Sequence, residues 1–360
     1  SGHDIASGGL ITSLLEMTFA NTSGGLAIDL DGFVETDPIK ILFSENPALL
    51  IQIETNNSAE QQLKENGIYY IDLGRPQESR TINITGKGLQ KILDIEHYRD
   101  VWFTTSYLLD RNQCGSELAG KRFENYKTQP LQFDFPNHFK GALSDYNIDK
   151  KRRGISGVKA AIIREKGVNG DREMAWSMHL AGMDVKDVHM TDLITGRETL
   201  EDIHMIVFVG GFSNSDVLGS AKGWAGAFLY NPKAKAALDN FYRREDTLSL
   251  GVCNGCQLMT ELNLIYPDRK EHPKMQVNES RKFESAFINL DIPENRSVML
   301  ASLSNSRLAA WIAHGEGKFY LPQNEKYYHV AMKYSYAQYP CNANGSDYNV
   351  AGICSEDGRH

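Results

Sequence analysis

The chain has 360 residues, of which 41% are hydrophobic and 23% charged, as in globular proteins with about two domains. Its formal net charge of −8 at pH 7 argues against a nucleic-acid-binding protein. No segment approaches the ~20 consecutive apolar residues of a membrane helix, and the first residues lack the features of a signal peptide. The odd count of five cysteines favours reduced thiols and a cytoplasmic protein.

The first third of the chain shows helical and strand patterns in alternation, which predicts an α+β region over residues 1–112. Helices are predicted at residues 9–20, 58–67 and 89–112, strands at 24–30 and 48–54, and a strand pair at 68–74 with 80–86. Residues 113–155 contain prolines and aromatic side chains without a clear period, which predicts a connector.

A different pattern begins at residue 156 and continues to residue 360. Strands are predicted at 158–165, 183–190, 203–211 and 248–253, and helices at 171–182, 231–246 and 256–265. Strands that alternate with helices are typical of a doubly wound α/β domain with a parallel sheet.

The segment SLGVCNGCQLM (249–259) places Cys253 between an apolar strand and a helix. Gly251 and Gly255 flank the cysteine and permit a strained turn, so the segment predicts a nucleophile elbow. The N-terminus of the following helix directs backbone N–H groups at the same point, which favours a thiolate and stabilises an oxyanion.

Other interpretations of the two cysteines are a zinc half-site, a redox pair, or two buried thiols. A structural zinc site needs about four ligands, whereas the other cysteines are distant and the nearby His272 has no histidine partner. The spacing alone leaves the elbow, the redox pair and the buried thiols open.

A second turn follows the apolar strand at 203–211, where Gly210 and Gly211 open the sequence GGFSNSD. In an open parallel sheet, ligands bind at the carboxyl ends of the strands, so this turn and Cys253 are expected at the same edge. A glycine amide there would be a second oxyanion donor. A plain tight turn would have the same two glycines.

These motifs together resemble a known family. GVCNGCQ, the upstream GGFSNSD and the downstream AHGEGKF (313–319) are similar to class I (triad) glutamine amidotransferases, which have a flavodoxin-like fold. GHDIASGGL (2–10), LLEMTFAN (14–21) and NVAGICSEDGRH (349–360) resemble the large, single-chain phosphoribosylformylglycinamidine synthase family. The resemblance implies that residues 1–112 are the C-terminal part of a PurM-like synthetase domain.

The resemblance implies roles for five residues of the amidotransferase domain. Cys253 matches the nucleophile, and the amides of Gly211 and Asn254 would hold the oxyanion. Gln257 would position the glutamine. His314 would either line the pocket or, as the favoured interpretation, be a structural histidine. Cys256 matches no catalytic position.

The resemblance also implies the reaction and its cofactors. Ammonia released from glutamine would convert formylglycinamide ribonucleotide to formylglycinamidine ribonucleotide with the use of ATP. Asp4 matches a ligand of Mg²⁺ beside bound ATP or ADP, which suits a carboxylate. Ala6 stands at a nucleotide-binding position that is usually Ser in the family, and this departure puts that contact in doubt.

Two further features depart from a complete enzyme. No Walker A motif is present, since Arg122 replaces the required Ser or Thr of the nearest match at 115–122. The family places the triad His and Glu just after the position of His360. We therefore expect a monomeric fragment that works with an N-terminal remainder of the same polypeptide. The alternatives are a nucleotide-stabilised scaffold with an inactive glutaminase, or another glutamine amidotransferase.

Overall fold

The computed structural model describes residues 1–54, 58–137 and 139–360, and the chain divides into two compact units, Ser1–Pro130 and Leu131–His360. In the first unit, a sheet of mixed direction packs against helices. Its elements in chain order are β1 (Gly2–Asp4), α1 (Gly9–Phe19), β2 (Gly25–Asp29), α2 (Pro38–Phe43), β3 (Leu49–Ile51), α3 (Ala59–Glu65), β4 (Gly74–Gln77), β5 (Thr81–Gly86), β6 (Leu89–Asp94) and α4 (Ile95–Asn125).

The main sheet of this unit has the strand order β4-β2-β5-β6, in which only β2 and β5 are parallel. Alternate residues of β2 and β5, Ile28, Ile82 and Ile84, point to one face and pack against Leu10 and Leu14 of α1. The strands β1 and β3 form a separate antiparallel pair, which carries Asp4. These observations confirm the predicted mixture of strands and helices.

The predicted pairing of residues 68–74 with 80–86 is wrong. The strand β4 begins only at Gly74 and pairs with β2, while β5 lies between β2 and β6. Ile68 and Tyr69 are 54% and 75% exposed, so the apolar run that suggested a strand is not part of the core. Pro76 is tolerated in β4 because that strand lies at the sheet edge.

The prediction of a helix over residues 89–112 is wrong for its first six residues, which form β6. Lys87 and Gly88 have φ values of 51° and 75°, the geometry of a two-residue hairpin turn that joins β5 to β6. The helix α4 begins after Asp94, whose carboxylate accepts hydrogen bonds from the amides of Glu96 and His97. The hairpin turn and the Asp94 cap therefore make residues 89–94 a strand and start the helix at Ile95, despite the helical spacing of the apolar residues.

Residues 113–125, predicted as the start of the connector, are helical because α4 continues to Asn125. The helix is interrupted at Gly115, which has φ 82° and ψ 166°. In the second unit, Asp134 forms a β-bridge with Arg307, and Gln132 exchanges backbone hydrogen bonds with the side chain of Asn289. This part of the predicted connector therefore lies along an edge strand.

The second unit combines a parallel sheet with a smaller antiparallel one. Its elements are β7 (Lys159–Arg164), α5 (Asp171–Leu180), β8 (Asp184–His189), α6 (Met190–Thr195), β9 (Met205–Phe208), α7 (Lys222–Leu229), α8 (Pro232–Arg243), β10 (Leu248–Gly251), α9 (Asn254–Glu261), β11 (Lys274–Gln276), β12 (Glu284–Ile292), β13 (Ser306–His314), β14 (Lys318–Tyr320), β15 (His329–Tyr334) and β16 (Val350–Cys354).

The parallel sheet has the strand order β10-β9-β7-β8, which matches four neighbouring strands of the flavodoxin-type order. Ala161 and Ile163 of β7 face a core that contains Trp224 and Phe228 of α7. The alternate residues of the same strand face the other side, where α5 packs. Helices thus cover both faces, and the predicted doubly wound α/β arrangement is confirmed.

The antiparallel sheet has the order β13-β12-β15-β16, and β11 pairs separately with β14. The pairing of β12 with β13 extends over nine residue pairs, from Glu284–His314 to Ile292–Ser306. The AHGEGKF motif therefore covers the end of β13, the loop of residues 315–317 and the start of β14. The sequence patterns did not predict this sheet.

The close contact between α9 and β9 generates a testable prediction. A Cβ atom at Gly255 would lie 2.0 Å from the carbonyl oxygen of Phe208. We expect Gly255→Ala to reduce the free energy of unfolding of the second unit by about 1–3 kcal/mol, because β9 and α9 would be forced apart. Urea titration would measure the change.

The matched control is Gly226→Ala in α7, where an added Cβ would contact only the Tyr230 ring, at 3.7 Å. We expect this control to be neutral or to stabilise the unit by about 0.5–1 kcal/mol. Equal unfolding midpoints for the two variants would contradict the packing argument.

Candidate active site

Cys253 lies at a sharp turn between β10 and α9. Its φ of 53° and ψ of −110° are a strained conformation for a residue with a side chain. Both flanking glycines are required by close contacts: a Cβ at Gly251 would lie 2.6 Å from the carbonyl oxygen of Gly255, and one at Gly255 would meet Phe208. The turn therefore has the geometry of a nucleophile elbow.

Two backbone amides, those of Gly211 and Asn254, are directed at the Sγ atom of Cys253. Gly211 has φ 121°, and a Cβ there would lie 2.5 Å from the Cα atom of Val168, so only glycine fits. The turn is held in place by a hydrogen bond of 2.8 Å from the Asn169 amide to the Gly210 carbonyl. The structure thus places both predicted oxyanion donors beside the predicted nucleophile.

Burial raises the pKa of the Cys253 thiol above its ordinary value, and the negative charge of Asp216 adds to the rise. The amides of Gly211 and Asn254 oppose the shift but do not cancel it. The expectation that the helix N-terminus favours a thiolate is therefore outweighed by desolvation. The Cys253 thiol is protonated at neutral pH, so its reaction requires a base.

Two buried amide side chains connect the elbow to its surroundings. The side chain of Asn254 donates to the Gln257 Oε1 atom at 2.9 Å and accepts from the Ser213 amide at 3.2 Å. The Gln257 Nε2 atom donates to the carbonyl of Glu316 at 2.8 Å. Only the backbone of Asn254 therefore reaches Cys253, and the Gln257 amide holds the loop that follows β13.

A pocket of about 100 Å³ opens beside Cys253. It contains four of the predicted site residues together with residues that the sequence analysis did not single out. Its lining comprises Gly211, Phe212, Asp216, Ser220, Cys253, Gln257, Phe283, Ala313, His314, Gly315 and Glu316. Asp216 and Glu316 belong to the GGFSNSD and AHGEGKF motifs, so the motifs themselves contained the signal for these two carboxylates.

His314 lies at the end of β13, and burial lowers the pKa of its imidazole below the ordinary value. Its Nδ1 atom is buried and has no hydrogen-bond partner among the described residues. Glu284 lies opposite it on β12 and accepts a hydrogen bond of 2.9 Å from the Tyr339 hydroxyl. The imidazole is therefore neutral near pH 7.

Cys253 and Cys256 both carry free thiols. Burial raises the pKa of Cys256 to about 12, and its side chain packs against the core of the second unit. Within residues 1–54, 58–137 and 139–360, no group of three His, Cys, Asp or Glu side chains is placed to hold a metal ion. The packing and the raised pKa of Cys256 disfavour an active redox pair.

The predicted magnesium ligand, Asp4, lies in the first unit on β1. Its side chain is 77% exposed, and the imidazole of His3 lies beside it, with Nδ1 3.8 Å from a carboxylate oxygen. Ala6 is exposed in the turn that leads into α1. One exposed carboxylate does not form a magnesium site by itself, so any such ion would take most of its ligands from phosphate, water or other protein.

The part of the chain that the structure describes contains no helix that is both long enough and apolar enough to cross a membrane.

Comparison with known proteins identifies relatives over the whole chain. The chain is 34% identical to phosphoribosylformylglycinamidine synthase from Homo sapiens, over 100% of this chain and 29% of that protein. It is also 34% identical to the probable chloroplastic/mitochondrial phosphoribosylformylglycinamidine synthase from Arabidopsis thaliana, over 100% of this chain and 27% of that protein. The chain thus spans less than a third of the length of these curated relatives.

Among solved structures, the chain is similar to PurLQS from Thermotoga maritima, at 23% identity and a TM-score of 0.45, over 56% of this chain and 84% of that chain. Residues 157–360 match the family described as the CobB/CobQ-like glutamine amidotransferase domain. Because this match covers more than half of its residues, the chain belongs to the CobB/CobQ-like glutamine amidotransferase family.

Proposed function

We propose that the second unit hydrolyses the side-chain amide of glutamine with Cys253 as the nucleophile. The observation that carries the proposal is the convergence of the Gly211 and Asn254 amides on the Cys253 Sγ atom at the end of a strained elbow. An oxyanion that forms on the amide carbon attacked by Sγ would lie within reach of both N–H groups.

In the proposed reaction, a base removes the Cys253 thiol proton and Sγ bonds to the amide carbon of glutamine. The C–N bond then breaks, the nitrogen gains a proton and leaves as ammonia, and a thioester remains. Water hydrolyses the thioester to glutamate and restores the thiol. The raised pKa of Cys253 makes the base essential.

We further propose that the ammonia serves the reaction named by the relatives, phosphoribosylformylglycinamidine synthesis. ATP would activate the amide oxygen of formylglycinamide ribonucleotide, and ammonia would displace phosphate to form the amidine. The support is the similarity to these synthases over the whole of this chain, which extends through the first unit as well as the amidotransferase domain.

In this proposal, residues 1–112 are part of a PurM-like synthetase domain, and the remaining synthetase segments precede them in the same polypeptide. Asp4 would be one ligand of Mg²⁺ at a nucleotide site completed by other groups. The enzyme would be a monomer of the cytoplasm.

The first prediction of the proposed function concerns the identity of the nucleophile. A chloroketone analogue of L-glutamine at alkaline pH is expected to add one adduct to the protein, on Cys253, and free glutamine is expected to block the addition. Intact mass and peptide mass spectrometry would measure it. Cys253→Ala should abolish the adduct.

The matched control for this labelling is Cys256→Ser, which changes the neighbouring thiol of the same motif. We expect the variant to be labelled as fast as the unaltered chain, because Cys256 packs against the core and its raised pKa keeps its thiol protonated. An adduct on Cys256, or labelling that glutamine does not slow, would overturn the assignment.

The second prediction concerns pH. Because the pKa of Cys253 is raised above 9.0, its alkylation by iodoacetamide should keep accelerating as the pH rises past 9.0. Asp216→Asn removes a negative charge that disfavours the thiolate, so its pH–rate profile should shift to lower pH. The exposed Asp268→Asn is the control and should leave the profile in place. A profile that shifts upward in Asp216→Asn would contradict this prediction.

The third prediction separates the glutaminase from the synthetase. In a polypeptide that contains this chain and the remaining synthetase segments, Cys253→Ala should lower glutamine-dependent amidine formation by at least about 10³-fold. Amidine formation from added ammonium salt should persist, because ammonia bypasses the thioester. Product mass and ADP release would measure both rates, and loss of both activities would argue against a dedicated glutaminase role.

A further inference from the structure

Two carboxylates that the proposed reaction does not use line the same pocket as Cys253. The backbone amide of Ser220 lies 3.3 Å from the Glu316 Oε2 atom, and the Ser220 hydroxyl lies 3.4 Å from the Asp216 Oδ2 atom. Because one residue contacts both, Asp216 and Glu316 lie on the same wall of the pocket.

The elbow itself holds both carboxylates in position. Asn214, Ser215 and Asp216 have φ values of 53°, 57° and 50°, so three consecutive residues adopt the left-handed conformation. Asn254 anchors this loop through the Ser213 amide and approaches the Asp216 carboxylate at 3.5 Å. These contacts fix Asp216 relative to the nucleophile, despite the strain in the loop.

Glu316 is anchored by a separate contact, the 2.8 Å hydrogen bond from the Gln257 side chain to its carbonyl oxygen. Gln257 lies one turn along α9 from Cys253. The two carboxylates therefore come from different loops, and the helix that carries the nucleophile positions both.

The charges of this pair are not compensated within the described residues, where no lysine or arginine forms an ion pair with Asp216 or Glu316. Burial raises the pKa of Asp216, and the charge of Glu316 raises it further. The backbone amide of Ala221 also donates to the Asp216 carboxylate. The contacts from Ser220 and Asn254 are long, at 3.3–3.5 Å, so the two carboxylates keep lone pairs able to accept shorter bonds. A cation that enters the pocket would relieve the repulsion.

We propose that Asp216 and Glu316 bind the α-ammonium group of glutamine and thereby direct its side-chain amide to Cys253. This inference rests on the proposed glutaminase function. An ammonium group offers three N–H donors, and charge-assisted hydrogen bonds to carboxylates are among the stronger contacts available in a partly desolvated pocket. The pair would select free glutamine over amides that lack an α-amino group.

The test compares how two ligands protect Cys253 from alkylation by iodoacetamide at neutral pH, with peptide mass spectrometry as the readout. One ligand is L-glutamine, and the other is glutaramate, which has hydrogen in place of the α-amino group. In the unaltered chain, we expect glutamine to protect at a concentration at least about tenfold lower, the size of one charge-assisted hydrogen bond.

Glu316→Gln and Asp216→Asn should each reduce this tenfold preference towards equality, because glutamine binds more weakly while glutaramate binds as well or better. The matched control is Glu261→Gln at the exposed end of α9, which should keep the preference. A structural disturbance of the pocket would instead weaken both ligands equally and would overturn the inference.

The outcomes separate this inference from the function on which it rests. If iodoacetamide alkylates Cys253 and saturating glutamine gives no protection in the unaltered chain, the proposed glutaminase function fails. If glutamine protects but Glu316→Gln and Asp216→Asn keep the full preference over glutaramate, the function stands and the ammonium subsite fails.

Discussion

The candidate site depends on one close contact, that between the first turn of α9 and the carbonyl of Phe208 at the end of β9. Without a side chain at Gly255, the helix starts directly over the strand, and the chain must turn sharply at Cys253 to enter it. The strained φ of Cys253 follows from this contact, and so does the position of its thiol beside the Gly211 turn. Packing of the core therefore determines where the nucleophile lies.

Two buried amide side chains link the elbow to the rest of the pocket. Asn254 and Gln257 have most of their polar atoms engaged with protein groups, so they connect the elbow to the loops after β9 and β13. Breaking any of these hydrogen bonds would leave a buried polar atom of Asn254, Gln257 or the loops unpaired. Because that costs free energy, alternative arrangements are disfavoured and the network is rigid. A rigid network suits an oxyanion site, because donors already in place need no reorganisation during the reaction.

Burial has two opposite effects on this site. It raises the pKa of Cys253 and so lowers the fraction of thiolate, but it also strengthens every electrostatic contact that an oxyanion or an ammonium group makes in the pocket. The negative charge of Asp216 contributes to the first effect. A cationic ligand beside Asp216 would reduce that contribution, so binding of the substrate would itself favour the reactive thiolate.

Local signals in the sequence determined much of the second unit. The strands β7 to β10, the helices α5, α8 and α9, and the glycine-framed turn at Cys253 were predictable, because each depends on periodicity or on residues adjacent in the chain. The helices α6 and α7 were not predicted. The same reasoning failed at residues 68–74, where an exposed apolar run does not join the core, and at residues 89–94, where a hairpin turn and the Asp94 cap decide the structure. Those signals are short, and a longer apolar pattern concealed them.

Tertiary structure alone decided which distant residues meet. Asp216 and Glu316 are far apart in sequence, and only the network around α9 places both beside Cys253. The antiparallel sheet that positions His314 and the rise in the Cys253 pKa likewise arise from long-range pairing and burial. The sequence by itself determined the elbow and the parallel sheet, whereas the charge and desolvation of the pocket depend on contacts that no local pattern encodes.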